Sequence, residues 1–268
     1  MRVGIIGGGF MGEAFLRGIV RSEFAGASDI AVAEKMPGRH LALSEHGVRV
    51  TDDAQSACIG ADLVLLAVKP QDVPAVAESL RGGLPASSVL VSIAAGVPLA
   101  DVQRYSAHRA VVRVMPNTPV AVGEGAAVCL IAAEVTAEQR LSVQRLLEAV
   151  CTAVVEVHDD EEVDLATAIH GSGPAYVFLV IESMIDAAVR LGMKRADASA
   201  LVLATVAGSA RYAIATGTHP AELKNAVTSP GGTTAAALRE LEGAGLRSAF
   251  DDAIEAAFLR AQDLGELS

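Results

Sequence analysis

Short apolar runs and amphipathic stretches alternate along the first half of the chain. The apolar runs are nearly continuous, as in strands that are buried on both faces of a parallel sheet. They predict strands at residues 3–6, 30–33, 63–68, 89–93 and 111–114. Helical spacing of the apolar positions between them predicts helices near residues 10–21, 39–46, 71–80 and 99–105. This alternation predicts a doubly wound α/β sheet.

The same sheet is predicted to continue to about residue 157. An apolar run at 126–132, a helical pattern at 136–150 and a second apolar run at 153–157 follow in that order. Thr136 and Gln139 have the spacing of a capping box at the start of the helix.

The pattern changes near Asp159, after which no convincing strand pattern occurs. Stretches rich in Ala, Leu and Val predict helices at residues 174–191, 196–215, 220–227, 233–243 and 248–264. We therefore predict an α/β domain at residues 1–159 and an all-α domain at residues 160–268. The four carboxylates of residues 159–162 are predicted to form a solvated helix start, because they suit the positive end of the helix dipole.

Composition narrows the classes of function. Of the 268 residues, 51% are hydrophobic and only 3% are aromatic, so the chain can form a core and is not disordered. A net charge of −11 argues against nucleic acid or an anionic membrane as a partner. Cys58, Cys129 and Cys151 lack CxxC spacing, which suits a reducing compartment and predicts no metal site. The uncharged stretch 82–100 has too many Gly, Pro and Ser residues for a spanning helix, so we predict a cytoplasmic protein without a membrane segment.

A glycine-rich turn connects the first predicted strand to the first helix. Residues 7–12 read GGGFMG and contain the pattern G-x-G-x-x-G. In this context Gly7 makes the tight turn, Gly9 lets a pyrophosphate approach the backbone, and Gly12 allows close packing of helix and strand. The turn predicts a Rossmann-like dinucleotide-binding domain, and the alternative is a glycine-rich turn without a ligand.

Residues that follow other predicted strands are expected to line the dinucleotide groove, because ligands of such sheets bind beyond the carboxyl ends of the strands. Glu34 favours a free ribose 2′-hydroxyl and therefore NAD, whereas Lys35 and Arg39 favour a 2′-phosphate and therefore NADP. The sequence leaves these two alternatives open. The remaining candidates are Ala67, Val68, Lys69, Pro70, Ala94, Ala95, Gly96 and Asn117.

Two glycine-rich stretches precede helices in the second half of the chain. Residues 171–174 read GSGP and residues 229–234 read SPGGTT. The N–H groups and hydroxyls of two helix N-termini are suited to an anionic group such as a carboxylate. Their alternative role is helix capping. His170 lies beside the first stretch and is either a proton donor or a structural histidine.

Taken together, these motifs resemble those of the pyrroline-5-carboxylate reductase family, the last enzymes of proline biosynthesis. The resemblance covers essentially the whole chain and is carried in order by VGIIGGGFMGEA at 3–14, LAVKPQDV at 66–73, SIAAGV at 92–97, VMPNTP at 114–119, HGSGPAY at 170–176 and SPGGTT at 229–234. It implies a Rossmann domain followed by a helical domain that dimerises, with some members forming decamers. It also implies reduction of the C=N bond of Δ1-pyrroline-5-carboxylate to L-proline by NADPH, with NADH as the alternative.

The resemblance assigns roles to individual residues. It implies that the pyrophosphate is held by Gly7, Gly9, Phe10, Met11 and Gly12, and that residues 67–70 and 94–96 flank the ribose and nicotinamide. The substrate is implied to contact Ser172, Ser229, Gly231, Gly232, Thr233 and Thr234, with Thr167 nearby. A protonated imine accepts a hydride without a metal. If the substrate binds already protonated, no strong side-chain acid is needed. A proton relay through Thr167 or Thr234 is a hypothesis.

The chain departs from the family pattern at three places. His170 stands where a serine is common, Ala226 stands where some members have a cofactor-contacting asparagine, and Glu34-Lys35 replaces a common 2′-phosphate pocket. The last departure bears on the choice of cofactor more than on the reaction. Small residues between 204 and 210 favour close helix packing and predict a homodimer or a larger assembly.

Three other functions share parts of this pattern. A β-hydroxyacid dehydrogenase would carry a lysine early in the helical domain, but the helix after Gly171 has none before Lys194. A reductase dependent on coenzyme F420 would share the first half and would not need SPGGTT. A non-catalytic dinucleotide-binding regulator would need the cofactor site but not two further loops.

Overall fold

The computed structural model describes residues 1–266, and its first part is an eight-stranded sheet. The strands follow the chain order β1 (Val3–Ile6), β2 (Ile30–Ala33), β3 (Arg49–Thr51), β4 (Leu63–Leu66), β5 (Val89–Ser92), β6 (Val111–Pro116), β7 (Gly125–Ile131) and β8 (Cys151–Val157). Their order in the sheet is β3-β2-β1-β4-β5-β6-β7-β8. All neighbouring strands are parallel except β6 and β7, which are antiparallel.

Twelve α-helices accompany and follow this sheet within residues 1–266. They are α1 (Phe10–Arg21), α2 (Pro37–Ser44), α3 (Ala54–Cys58), α4 (Val73–Ser79), α5 (Leu99–Ser106), α6 (Ala137–Glu148), α7 (Asp160–Ala166), α8 (Gly173–Arg190), α9 (Arg195–Thr216), α10 (Pro220–Ala226), α11 (Thr233–Gly243) and α12 (Leu246–Glu266). A single π-helical turn, Thr167–Gly171, joins α7 to α8. The α/β sheet and the all-helical second half confirm the predicted fold class.

The central strands of the sheet are covered on both faces, which explains their continuous apolar runs. Every residue of β1, β2, β4 and β5 is buried. One face packs against a cluster that includes Phe15 and Leu16 of α1, and the other against a cluster that includes Leu80 and Val102. At about 25 cal/mol per Å² of apolar surface, burial on both faces is the main source of stability for this sheet.

Side chains at the predicted helix starts behave partly as expected. Thr136 and Gln139 form the predicted capping box at α6. Asp159 caps α7 by accepting a hydrogen bond from the N–H of Glu162. Asp160 differs from the predicted solvated start, because its carboxylate forms an ion pair with Arg113 of β6, which is buried. A buried guanidinium requires such a partner.

Several elements differ from the predictions. Strand β3 and helix α3 were not predicted, because three and five residues are too short for a periodic signal. The strand predicted at 63–68 ends at Leu66, and the helix predicted at 39–46 begins earlier, at Pro37. Pro37 is well placed there because a helix leaves its first N–H groups without partners.

The chain divides into two compact units. The first comprises Met1–Ser172 together with the C-terminal stretch from Ala257, and the second comprises Gly173–Ala256. These units do not follow the boundary predicted after residue 159, which concerned the roles of the two halves and stays a prediction. Residues 267 and 268 of the predicted second domain lie outside the described residues.

Two helical stretches within residues 1–266 are long and apolar enough to cross a membrane by length and composition alone. They are Asp160–Arg190 and Arg195–Thr216. The prediction that the chain has no membrane segment rested on residues 82–100 and overlooked both stretches. Several large apolar side chains of these helices are exposed in the single chain, including Val177, Phe178, Leu179, Leu201, Leu203 and Ile214.

Candidate active site

The glycine-rich turn lies at the carboxyl end of β1 and opens α1. Gly7 has φ +101°, and a Cβ atom there would lie 2.5 Å from the carbonyl oxygen of Ala67. A Cβ atom on Gly12 would lie 1.9 Å from the carbonyl oxygen of Gly7, so any side chain at Gly12 would displace the turn. A Cβ atom on Gly9 would meet no atom within 4 Å. The turn is therefore tightly packed on its protein side and open at Gly9, where the α1 N-terminus presents its N–H groups.

Glu34 at the end of β2 is bound to the same turn. One carboxylate oxygen accepts a hydrogen bond from the N–H of Gly8 at 2.9 Å, and the other accepts one from the N–H of Met36 at 2.8 Å. Two main-chain donors thus fix this carboxylate beside the turn. Lys35 is exposed.

Arg39 is also held by neighbours. Its Nε atom donates to the carbonyl oxygen of Gly8 at 2.7 Å, and Nη2 lies 2.7 Å from a carboxylate oxygen of Glu13. Burial acts to raise the pKa of Glu13, but Arg17, Arg39 and His46 lower it below its ordinary value. The Arg39 guanidinium is therefore already bound to a carboxylate within the protein.

The remaining predicted cofactor residues gather along one edge of the sheet. Because β1, β2, β4, β5 and β6 are parallel neighbours, their carboxyl ends share this edge. Lys69 and Pro70 are exposed after β4, and Gly96 with φ +70° follows β5. The same edge carries Phe10, which is 61% exposed, together with Met11, Ala67, Val68, Ala94 and Ala95.

Asn117, at the end of β6, binds two neighbouring segments with its side-chain amide. Its Oδ1 atom accepts from the N–H of Ala126 at 2.9 Å, and its Nδ2 atom donates to the carbonyl oxygen of His170 at 3.2 Å. The predicted cofactor contact of Asn117 would therefore come from its remaining amide hydrogen or its backbone.

The π-helical turn contains Thr167 and is followed directly by Ser172. The N–H of Ser172 donates to the carbonyl oxygen of Thr167 at 2.9 Å, the bond that defines a π-helical turn. The Thr167 hydroxyl donates to the carbonyl oxygen of Val163 at 2.7 Å. This hydroxyl can accept a hydrogen bond from a ligand but has already used its proton.

The SPGGTT loop belongs to the second unit and precedes α11. The N–H of Gly232 donates to the carbonyl oxygen of Ser229 at 3.0 Å, and Gly231 has φ +70°. With Pro230 at the second position and Gly231 at the third, residues 229–232 have the pattern of a type II turn. Gly232 caps α11 without a side-chain hydrogen bond, and both Thr233 and Thr234 lie in the first turn of the helix.

The three cysteines are free and buried. Burial raises the pKa of Cys129 and of Cys151 to about 11, so both remain thiols at neutral pH. They behave as small hydrophobic residues, as the sequence analysis interpreted them. Within residues 1–266, no group of three or more His, Cys, Asp or Glu side chains has a metal-binding arrangement.

Comparisons with known proteins match both halves of the chain. The family model described as pyrroline-5-carboxylate reductase dimerisation matches residues 160–264, and the one described as NADP oxidoreductase, coenzyme F420-dependent, matches residues 2–96. A pyrroline-5-carboxylate reductase from Synechocystis is 41% identical over 267 residues, which cover 99% of both chains. The chain belongs to the pyrroline-5-carboxylate reductase family.

Solved structures agree with this family. The pyrroline-5-carboxylate reductase from Coxiella burnetii is 33% identical, with a TM-score of 0.91 over 98% of both chains. The pyrroline carboxylate reductase from Plasmodium falciparum, solved with NADP bound, is 29% identical, with a TM-score of 0.89 over 99% of this chain and 98% of that one. The resemblance predicted from the motifs is thereby confirmed.

Sequence reasoning missed two residues that shape this site. Arg113 of β6 binds both Asp160 and Asp164 of α7, and Glu13 holds Arg39. A single charged residue inside an apolar strand was the available signal for Arg113, since such a residue needs a partner. Glu13 lies four residues before Arg17, with which it also pairs, and this ordinary helical spacing carried no such signal.

Proposed function

We propose that this chain reduces Δ1-pyrroline-5-carboxylate to L-proline, the last step of proline biosynthesis, with NADPH as hydride donor and NADH as the alternative. The observation that carries the proposal is membership of the pyrroline-5-carboxylate reductase family over essentially the whole chain. The glycine turn at the N-terminus, the π-helical turn before α8 and the loop before α11 are the parts that such a reaction requires.

The glycine turn fits a dinucleotide on structural grounds. Gly9 leaves space where a pyrophosphate would approach, while Gly7 and Gly12 admit no side chain. Residues 9–12 would hold the pyrophosphate, and Glu34 and Lys35 would lie near the adenosine ribose. When bound, the nicotinamide supplies a hydride equivalent for the carbon of the C=N bond.

We assign substrate binding to Ser172 of the first unit and to residues 229–234 of the second. Residues 229–234 open α11, and free N–H groups at a helix N-terminus favour an anion. Residues 171–174 do not open a separate helix as predicted, because the π-helical turn runs directly into α8 and the N–H of Ser172 donates to Thr167. Ser172 would therefore bind through its hydroxyl. An iminium substrate arrives with its proton, so these residues need only bind, orient and exclude water. If a hydroxyl relays that proton, Thr234 is favoured over Thr167, because Thr167 donates to Val163.

We further propose that residues 1–159 bind the dinucleotide and that residues 160–268 form a homodimer, which in some assemblies extends to a decamer. The match of residues 160–264 to a dimerisation family supports the dimer. Exposed apolar side chains on α8 and α9 support it as well, since such surfaces are usually covered. The free buried cysteines suit the reducing cytoplasm.

The first experiment follows the absorbance of NADPH, and of NADH in parallel, after pyrroline-5-carboxylate is added to the purified protein. Loss of absorbance with an equal amount of proline formed is the expected result, and samples without substrate are the control. If a folded protein bound the dinucleotide but oxidised neither cofactor, the proposed reaction would be wrong.

A further inference from the structure

The His170 ring lies between two main-chain carbonyl oxygens that belong to different elements. Its Nδ1 atom is 2.6 Å from the carbonyl oxygen of Ala166, at the end of α7. Its Nε2 atom is 2.8 Å from the carbonyl oxygen of Met115, in β6. The carbonyl oxygen of His170 accepts a hydrogen bond from Asn117. Both the ring and the main chain of His170 therefore connect the π-helical turn to the end of β6.

A π-helical turn needs such connections. It contains one residue more than an α-helical turn, occurs mostly as a single turn inside an α-helix, and is frequent at functional sites. If it relaxed to an α-helix, the residues after it would rotate by about 100° relative to α7, the angle that one residue spans in a helix with 3.6 residues per turn. Ser172 is the first residue that this rotation would move.

The π-helical turn also packs closely against β6. A Cβ atom on Gly171 would lie 3.0 Å from the Cε atom of Met115 and 3.2 Å from Cγ2 of Thr167. Among the neighbouring charged groups of the two packed elements, Arg113 of β6 pairs with Asp160 and Asp164 of α7, and Glu162 accepts a hydrogen bond from the N–H of His158. The Nε2 contact with Met115 thus connects β6 to a turn that already lies against the edge formed by the carboxyl ends of the parallel strands, which we call the cofactor edge.

We propose that His170 is a positioning residue for hydride transfer. In the tautomer with the proton on Nε2, the ring donates a hydrogen bond to the carbonyl oxygen of Met115. This bond fixes the turn that carries Thr167 and precedes Ser172 against the end of β6, and so fixes the substrate relative to the cofactor edge. The predicted effect on turnover rests on the proposed function, whereas the hydrogen bond between His170 and Met115 is independent of it. Because displacement by about 1 Å can lower a rate by up to 100-fold, loss of this bond should affect kcat.

Two variants separate the two ring contacts. The amide of His170→Gln places a donor near the position of Nε2 and can reach Met115. The amide of His170→Asn places a donor near the position of Nδ1 and can reach only Ala166. A role in positioning predicts that His170→Gln keeps kcat within about threefold of the wild type. It predicts that His170→Asn lowers kcat at least tenfold while the KM for NADPH stays within twofold.

A second measurement does not depend on turnover. Hydrogen exchange of the amides of residues 167–172 should be faster in His170→Asn than in His170→Gln, with equal exchange in β1 and β4. Equal kcat and equal exchange in the two variants would overturn the proposal. Unfolding of both variants would also overturn it, because the ring would then serve the fold and not the turn. A wild-type protein without activity would refute the proposed function, while exchange would still decide the role of His170.

Discussion

Gly9 and Gly12 lie in the same turn but differ in what a side chain would meet. At Gly12 a Cβ atom would overlap the carbonyl oxygen of Gly7, whereas at Gly9 it would enter open space. Gly12 is therefore required by the packing of the protein. Gly9 is required only if a ligand occupies the open space beside it, so substitutions at the two positions separate effects on folding from effects on binding.

We expect Gly12→Ala to lower the free energy of unfolding by about 1–3 kcal/mol, as overpacked sites do. Gly9→Ala should change the free energy of unfolding by less than about 1 kcal/mol, because Gly9 is the N-cap residue of α1 and alanine is only moderately less favourable than glycine at that position. Dinucleotide affinity should fall in both variants. Denaturant unfolding and titration with NADPH measure the two effects, and unchanged affinity in Gly9→Ala would contradict a pyrophosphate at this position.

Glu34 allows a comparable test of cofactor choice. Its carboxylate occupies the N–H groups of Gly8 and Met36, and its charge would repel a 2′-phosphate. We expect Glu34→Ser to raise the ratio of kcat/KM for NADPH to that for NADH about tenfold, which corresponds to roughly 1.4 kcal/mol. Glu45→Ser, which removes an exposed carboxylate just after α2, is the matched control and should leave the ratio unchanged. A lower ratio in Glu34→Ser would show that the carboxylate assists NADPH.

At the scale of elements, the pair formed by β6 and α7 depends on a buried arginine. Arg113 is 3% exposed and binds Asp160 and Asp164. The carboxylate of Asp164 lies 2.8 Å from Nη2 and is itself largely buried. Removing one partner leaves part of a buried charge without compensation, which costs more than the pair contributes.

Asp164→Asn should therefore lower the free energy of unfolding by about 2–3 kcal/mol. Asp101→Asn provides the control, because Asp101 pairs with the exposed Arg104 within α5, and such surface pairs contribute at most about 1 kcal/mol. Both values come from denaturant unfolding at neutral pH. A similar loss in the two variants would mean that the α7 contact does not depend on the buried charge.

The elements that the sequence predicted well are those with a strong local signal. β1, β2, α1 and α11 have the predicted bounds, since continuous apolar runs, the glycine turn and the loop before α11 mark them directly. The π-helical turn could not be predicted, because its extra residue is held by hydrogen bonds to β6 rather than by local preference. The two hydrogen bonds to the Glu34 carboxylate come from the N–H groups of Gly8 and Met36, which belong to separate segments, and so they could not be predicted from local sequence either.

At the scale of the whole molecule, the two units bury their apolar surface differently. Strands β1, β2, β4 and β5 are fully covered within one chain, but the described helices α8 and α9 expose large apolar side chains. A dimer covers such side chains with a second copy. A membrane would cover them with lipid, and the length and composition of these helices alone fit either case.

Substitution on α8 distinguishes these cases. We expect the wild type to elute as a dimer or larger assembly from detergent-free buffer, measured by light scattering at micromolar concentration. Phe178→Asp should raise the dissociation constant at least tenfold, because a carboxylate would be buried at the interface without a partner. Leu41→Asp on α2, where the leucine is more exposed than Phe178 but lies in the first unit, should leave the assembly unchanged. A wild-type protein that is monomeric, or that stays dispersed only in detergent, would contradict the assignment of these helices to dimerisation.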